Sequence, residues 1–138
     1  MYNVEWGVLA DNVIRDADRN TVSIIDLIEA VIATNFPVLI PRVTTLWLIT
    51  REAADPNEEM FEMALRLNGQ DLNRFPIAVT FDGKLRARCI VGVNNIVLQA
   101  AGNLEATLFL GGQALATRRV VVLLNTAAPA LSVAGPSG

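Results

Sequence analysis

The chain has 138 residues and a formal net charge of −3, with 52% hydrophobic and 18% charged residues, no histidine and one cysteine. That length suits one domain, which removes about two-thirds of its unfolded surface from water and needs no disulfide or metal staple. Without histidine a Ser-His-Asp triad, a Cys-His pair and a histidine metal site are excluded within one chain, and the lone Cys89 excludes a disulfide scaffold and a thiolate zinc cluster.

The acidic balance lacks the basic footprint of a general nucleic-acid binder. The longest apolar runs, such as Val120 to Leu124, fall far short of the roughly 20 residues of a membrane helix. Met1-Tyr2-Asn3-Val4-Glu5-Trp6 reads as alternating structure and not as a leader, so a cytoplasmic protein is the expectation. The charged share is below the usual value of about 25%, and a small domain has limited interior. Part of the apolar surplus is therefore expected at the surface, where it marks an interface; a core well filled with alanine is the alternative.

Val4, Trp6 and Val8 alternate in a first strand that runs on to Ile14. Arg15-Asp16-Ala17-Asp18-Arg19-Asn20 then makes a turn, because Asp and Asn side chains bond nearby amides and tolerate unusual φ. Thr21 to Ala33 fits a short helix or a strand, and its branched residues favour the strand. Phe36-Pro37 and Pro41 bracket Val38-Leu39-Ile40; proline lacks the ladder donor, which places this piece on a sheet edge or at a crossing between sheets. Val43 to Thr50 reads as a buried strand around Leu46, Trp47, Leu48 and Ile49, closed by Asp55-Pro56-Asn57.

Glu58 to Leu67 admits a helix with Glu58 and Glu59 at its positive end, but Phe61, Met63, Leu65 and Leu67 keep the strand period, and Asn68-Gly69 closes the segment. Ile77 to Phe81, Asp82-Gly83 and Leu85 to Val91 form an expected hairpin. Leu104 to Leu110, Gly111-Gly112 and Val120 to Leu124 form another. The sum is an all-β antiparallel sandwich over residues 1–125, Ig-like or C2-like, with about seven to nine strands and at most one short helix. An Ala/Pro/Gly-rich tail follows over 126–138.

Ala10-Asp11, the polar turn before Ser23-Ile24-Ile25-Asp26-Leu27, Phe36-Pro37 with Pro41, and the closing pattern of Gly102, Leu108, Gly111-Gly112 and Val120-Val121-Val122 form a set. They resemble a family of short, single-domain bacterial proteins of unknown function, over roughly residues 4–124. Leu104 stands where that family often has an aromatic residue, and Gly111-Gly112 where it has Asp-Gly. The resemblance implies a β-sandwich and no activity, since its motifs are structural punctuation.

Lys84, Arg86 and Arg88 alternate with Leu85, Ala87 and Cys89, which in a strand puts three cations on one face; Arg118 and Arg119 extend the stripe if the hairpins pair suitably. The stripe fits a small anionic molecule, an acidic partner surface or the protein's own Glu58, Glu59 and Glu62; a solvated face is the plain alternative. Asp16, Asp18 and Asn20 have the spacing that opens a calcium loop, but Thr21 and Leu27 replace its glycine and bidentate glutamate, so a solvated turn is favoured and no metal is expected. Gly83, Gly92, Gly102, Gly111 and Gly112 sit at strand ends, without the spacing of a phosphate loop. Trp6 and Trp47 fit a core better than a pocket, and Cys89 fits a small buried apolar residue.

No catalytic residue and no cofactor is expected. The composition points to an interaction or assembly module that self-associates as a homo-oligomer or takes a protein partner. Two alternatives stand beside it: a structural subunit of a larger particle or filament with the tail as connector, and a binder of a small anionic ligand at the basic strand face.

Overall fold

The computed structural model describes residues 1–125; the tail over 126–138 lies outside the described residues. Period-two alternation of apolar side chains turns nearly all of the described chain into strands. These are β1 (Asn3–Asp16), β2 (Thr21–Leu27), β3 (Ala30–Ala33), β4 (Val38–Thr50), β5 (Glu58–Leu67), β6 (Gln70–Thr80), β7 (Arg86–Leu98), β8 (Gly102–Leu110) and β9 (Gln113–Leu124). Among the described residues there are nine strands and no helix. They form a four-stranded sheet, β2-β1-β4-β7, and a five-stranded sheet, β3-β9-β8-β5-β6. The two pack face to face as a β-sandwich. All pairs are antiparallel except β3 with β9, which run parallel from Ala30↔Val121 to Ala33↔Leu124.

The interior is filled by Trp47, Ile49, Phe61, Met63, Leu65, Phe81, Leu98, Leu104 and Leu108, all essentially without exposure. Trp47 lies against Gly7, where a Cβ would sit 2.5 Å from the indole Cε3, so only glycine leaves room for the ring. The indole N–H donates to Thr45 Oγ1 at 3.1 Å, which satisfies the one polar atom that Trp47 brings into the core.

Several expectations need correction. Thr21 to Ala33 is two strands in different sheets: β2 ends at Leu27, and the chain crosses to the other sheet before β3. Val38 to Thr50 is one continuous strand, and Pro41 is tolerated because the ladder between β1 and β4 stops at Ala10↔Thr44, leaving that side of β4 open. Glu58 to Leu67 is a strand, as its period indicates. It continues through Asn68-Gly69, both at positive φ (51° and 84°), directly into β6, a hairpin that the expectations for Asn68-Gly69 did not include.

The expected hairpin around Asp82-Gly83 is instead an arch between sheets. Asp82 and Gly83 do take positive φ (52° and 78°), as a tight hairpin turn would, and Lys84 N–H donates to Phe81 O at 2.9 Å. Yet β6 pairs with β5 whereas β7 pairs with β4. The inward residues on either side, Val79 and Cys89, both belong to the interior and enter it from opposite sheets. A local turn closes the same way in both cases, so its residues do not decide where the next strand goes.

One further departure shapes the surface. Beyond Ala10 the β1–β2 hairpin leaves β4 and folds back over the outer face of its own sheet. There Val13 and Val22 pack with Val8, Ala10, Leu46 and Ile90 in a second, smaller apolar cluster. Asp26, at φ 54°, stands opposite Asp11 where the hairpin bends. Arg42 fills the fork, donating from Nε to Asp11 O at 2.7 Å and from a terminal nitrogen to the Asp11 carboxylate at 2.9 Å.

Candidate functional site

Two surfaces of this sandwich stand out, one on each sheet. The first is a groove of about 720 Å³ on the outer face of the four-stranded sheet, between the folded-back hairpin and the 81–85 arch. A register shift between Val4 and Trp6 creates its floor. Val4 packs into the main core, and the extra residue Glu5 turns Trp6 outward, so that Trp6 pairs with Leu48 on the outer face. The expectation of a core tryptophan therefore holds for Trp47 and fails for Trp6, which is 39% exposed and lines the groove with Val22, Leu46 and Leu48.

The cations of the sequence stripe reach this groove in part. Arg86 and Arg88 stand on the outer face of β7 opposite Thr50 and Leu48, with Lys84 just before the strand. Arg15, from the folded-back hairpin, joins them at the rim, which sequence spacing does not reveal because the bend brings it there. Arg86 pairs with Glu5 at 3.1 Å. Arg88 donates to Asn20 O at 3.0 Å and to Asn20 Oδ1 at 3.2 Å, holding the hairpin tip over the sheet through neutral partners. The Lys84 backbone is pinned at both ends, since its carbonyl also accepts from Arg51 Nε at 2.7 Å.

Arg118 and Arg119 do not extend the stripe, because β9 belongs to the other sheet. Arg118 turns toward the gap between the sheets and donates from Nε to Gly7 O at 3.0 Å. Arg119 pairs with its cross-strand neighbour Glu105 at 2.7 Å. The calcium-like trio is used by the turn itself: Asp16 Oδ1 accepts from the amides of Asp18 and Arg19, and Asn20 receives Arg88. Among the described residues no group of three or more acidic or cysteine side chains is placed to hold a metal ion. Cys89 is buried as expected, and burial pushes its thiol up to about 11.

The second surface is the β3 end of the five-stranded sheet. On its outer face Ile32 lies beside Leu123, and Ala30 beside Val121. Ile32 is 64% exposed, and Val121 and Leu123 are exposed as well. Among the described strands β3 is the last of its sheet, and no described strand pairs with its outer edge next to that apolar row. At the opposite end the same face carries Phe109, which is only 7% exposed because Arg74 and Arg66 lie over its ring at 4.6 and 5.4 Å.

No family model matches the chain, and no curated protein matches it in sequence. None of the described helices is long and apolar enough to cross a membrane, for the described chain has none.

Proposed function

We propose that this protein is an assembly module that associates with copies of itself through the β3 end of its five-stranded sheet. The observation that carries the reading is the exposed row of Ile32, Val121 and Leu123 beside a strand edge that no described strand pairs with. Monomeric proteins cover or charge such an edge, because an open edge beside apolar side chains templates further pairing. Here the row holds no charge of its own, so it asks for an apolar partner surface and not for a counter-ion. A second copy supplies that surface and a second open β3 edge. Two such edges related by a twofold axis run antiparallel and satisfy each other's backbone groups, the isologous arrangement commonest among homo-oligomers.

Sedimentation velocity over a wide concentration range tests it. The wild type is expected to sediment as a dimer or larger species, and the double variant Ile32→Glu, Leu123→Glu as a monomer with unchanged far-ultraviolet circular dichroism. A wild-type monomer at every concentration contradicts the reading.

A further inference from the structure

We propose that the groove between the folded-back β1–β2 hairpin and the 81–85 arch is a binding site for a small amphipathic anion: a carboxylate, sulfonate or phosphate head on an aromatic or branched apolar body. Four cations, Arg15, Lys84, Arg86 and Arg88, border it, whereas among the described residues Asp82 is the one acidic member of its lining. In a chain of net charge −3 this is a local reversal of sign. Among the described residues Arg86 is the one member of the four that is ion-paired, to Glu5. Arg88 donates to neutral atoms of Asn20 and forms no ion pair among the described residues. A concave wall in which cations outnumber the acidic residue in this way concentrates anions from solution.

The floor determines what the anion must carry. Trp6 and Leu48 form a cross-strand pair on the outer face and line the groove with Leu46 and Val22, so a flat or branched apolar body lies against an indole and methyl groups while its head meets the rim. The volume of about 720 Å³ falls inside the range of small-molecule sites, roughly 300–1,000 Å³. A bare inorganic anion leaves this floor wet, and a neutral hydrocarbon leaves the rim unpaired. Both halves of the site argue for a molecule with both halves. The device that builds it is the bend at Asp11 and Asp26, which brings Arg15 over a sheet face it would otherwise have left. This site lies on the sheet opposite to the β3 end, so its test does not depend on self-association.

The full chain titrated with 1-anilinonaphthalene-8-sulfonate, read by energy transfer from tryptophan, tests the proposal. We expect saturable one-to-one binding. It should weaken with added salt, and the neutral analogue N-phenyl-1-naphthylamine should bind about tenfold more weakly, since exposed charges contribute up to about one power of ten. Arg15→Glu with Lys84→Glu should weaken binding about tenfold or more without lowering the melting temperature, whereas the pair Ile32→Glu, Leu123→Glu should leave it unchanged. Absence of saturable binding, equal binding of the neutral analogue, or loss of the signal on altering Ile32 and Leu123 but not Arg15 and Lys84 would overturn the proposal.

Discussion

The two ends of the five-stranded sheet are built by opposite rules. At the β6 end the edge carries Pro76, which has no amide to offer a neighbour, and the β5–β6 ladder is kinked by a register shift between Leu65 and Arg66. Charge covers what remains: Arg74 pairs with Glu62 at 2.9 Å and with Asp71 at 3.3 Å, and Arg66 pairs with Asp71 at 2.6 Å. Both guanidiniums then roof Phe109. At the β3 end there is no proline in the strand, no ion pair among the described residues of the row, and Ile32 stands bare. Proline, a bulge and charge are the usual means of keeping a strand edge monomeric. Among the described residues all three stand at one end and none at the other, the contrast on which the proposed assembly through the β3 end rests.

The largest effect expected from this contrast concerns Phe109. Phe109→Ala removes a buried ring from under its roof and should lower unfolding free energy in urea by about 2–4 kcal/mol. Val121→Ala, on the same face at the bare end, should cost the monomer less than about 0.5 kcal/mol. Equal losses would mean that the two ends do not differ. Next, Arg74→Ala strips one cation from Phe109 together with two carboxylate partners. A loss of about 1 kcal/mol in the same urea titration is expected, in line with an exposed network plus a cation–π contact. Pro76→Val then restores the missing amide at the β6 edge and should add a second association mode, visible as larger species in light scattering.

The smallest expected effect is set by pH. The Arg66 guanidinium, hydrogen-bonded to Asp71, and then Arg74 hold the Asp71 carboxyl below its ordinary value of 3.8. A depressed folded value means that this pairing contributes fully above 3.8 and fades as pH falls through the lower folded value. Amide protection in the hairpin of β5 and β6, taken relative to the intrinsic exchange rate at each pH, should therefore fall on acidification below about pH 3.8, ahead of protection in β9 beside β3. Simultaneous loss of protection at both ends would remove Asp71 from the account.

Much of this fold was legible from the chain alone. Alternation along Phe61, Met63, Leu65 and Leu67, and along Leu104, Ala106 and Leu108, marked inward faces correctly, and period-two patterning with frequent turns led to a two-sheet sandwich. Where reading failed, the cause was non-local. Asp82-Gly83 makes a turn whose two flanking strands join different partners, and no local residue states the partner. Trp6 seemed inward because Val4, Trp6 and Val8 alternate, but a single-residue register shift at Glu5 reverses the face. The basic stripe on β7 was visible, whereas Arg15 joined it only through the fold-back, and Arg118 left it because β9 lies across the interior. The bare β3 row was hinted at by the apolar surplus in composition but could not be placed until the parallel pairing of β3 with β9 set Ile32 beside Leu123.

The difference between the two ends can be read directly by cross-linking. Cys89 is buried, with its thiol pushed up to about 11, so a cysteine placed at a surface position would be the reactive one. With Ile32→Cys, oxidation or a short bis-maleimide is expected to yield a covalent dimer rapidly at low protein concentration, whereas Pro76→Cys at the guarded edge should stay monomeric under the same conditions. Equal cross-linking at the two positions, or none at Ile32→Cys, would contradict an assembly surface at the β3 end.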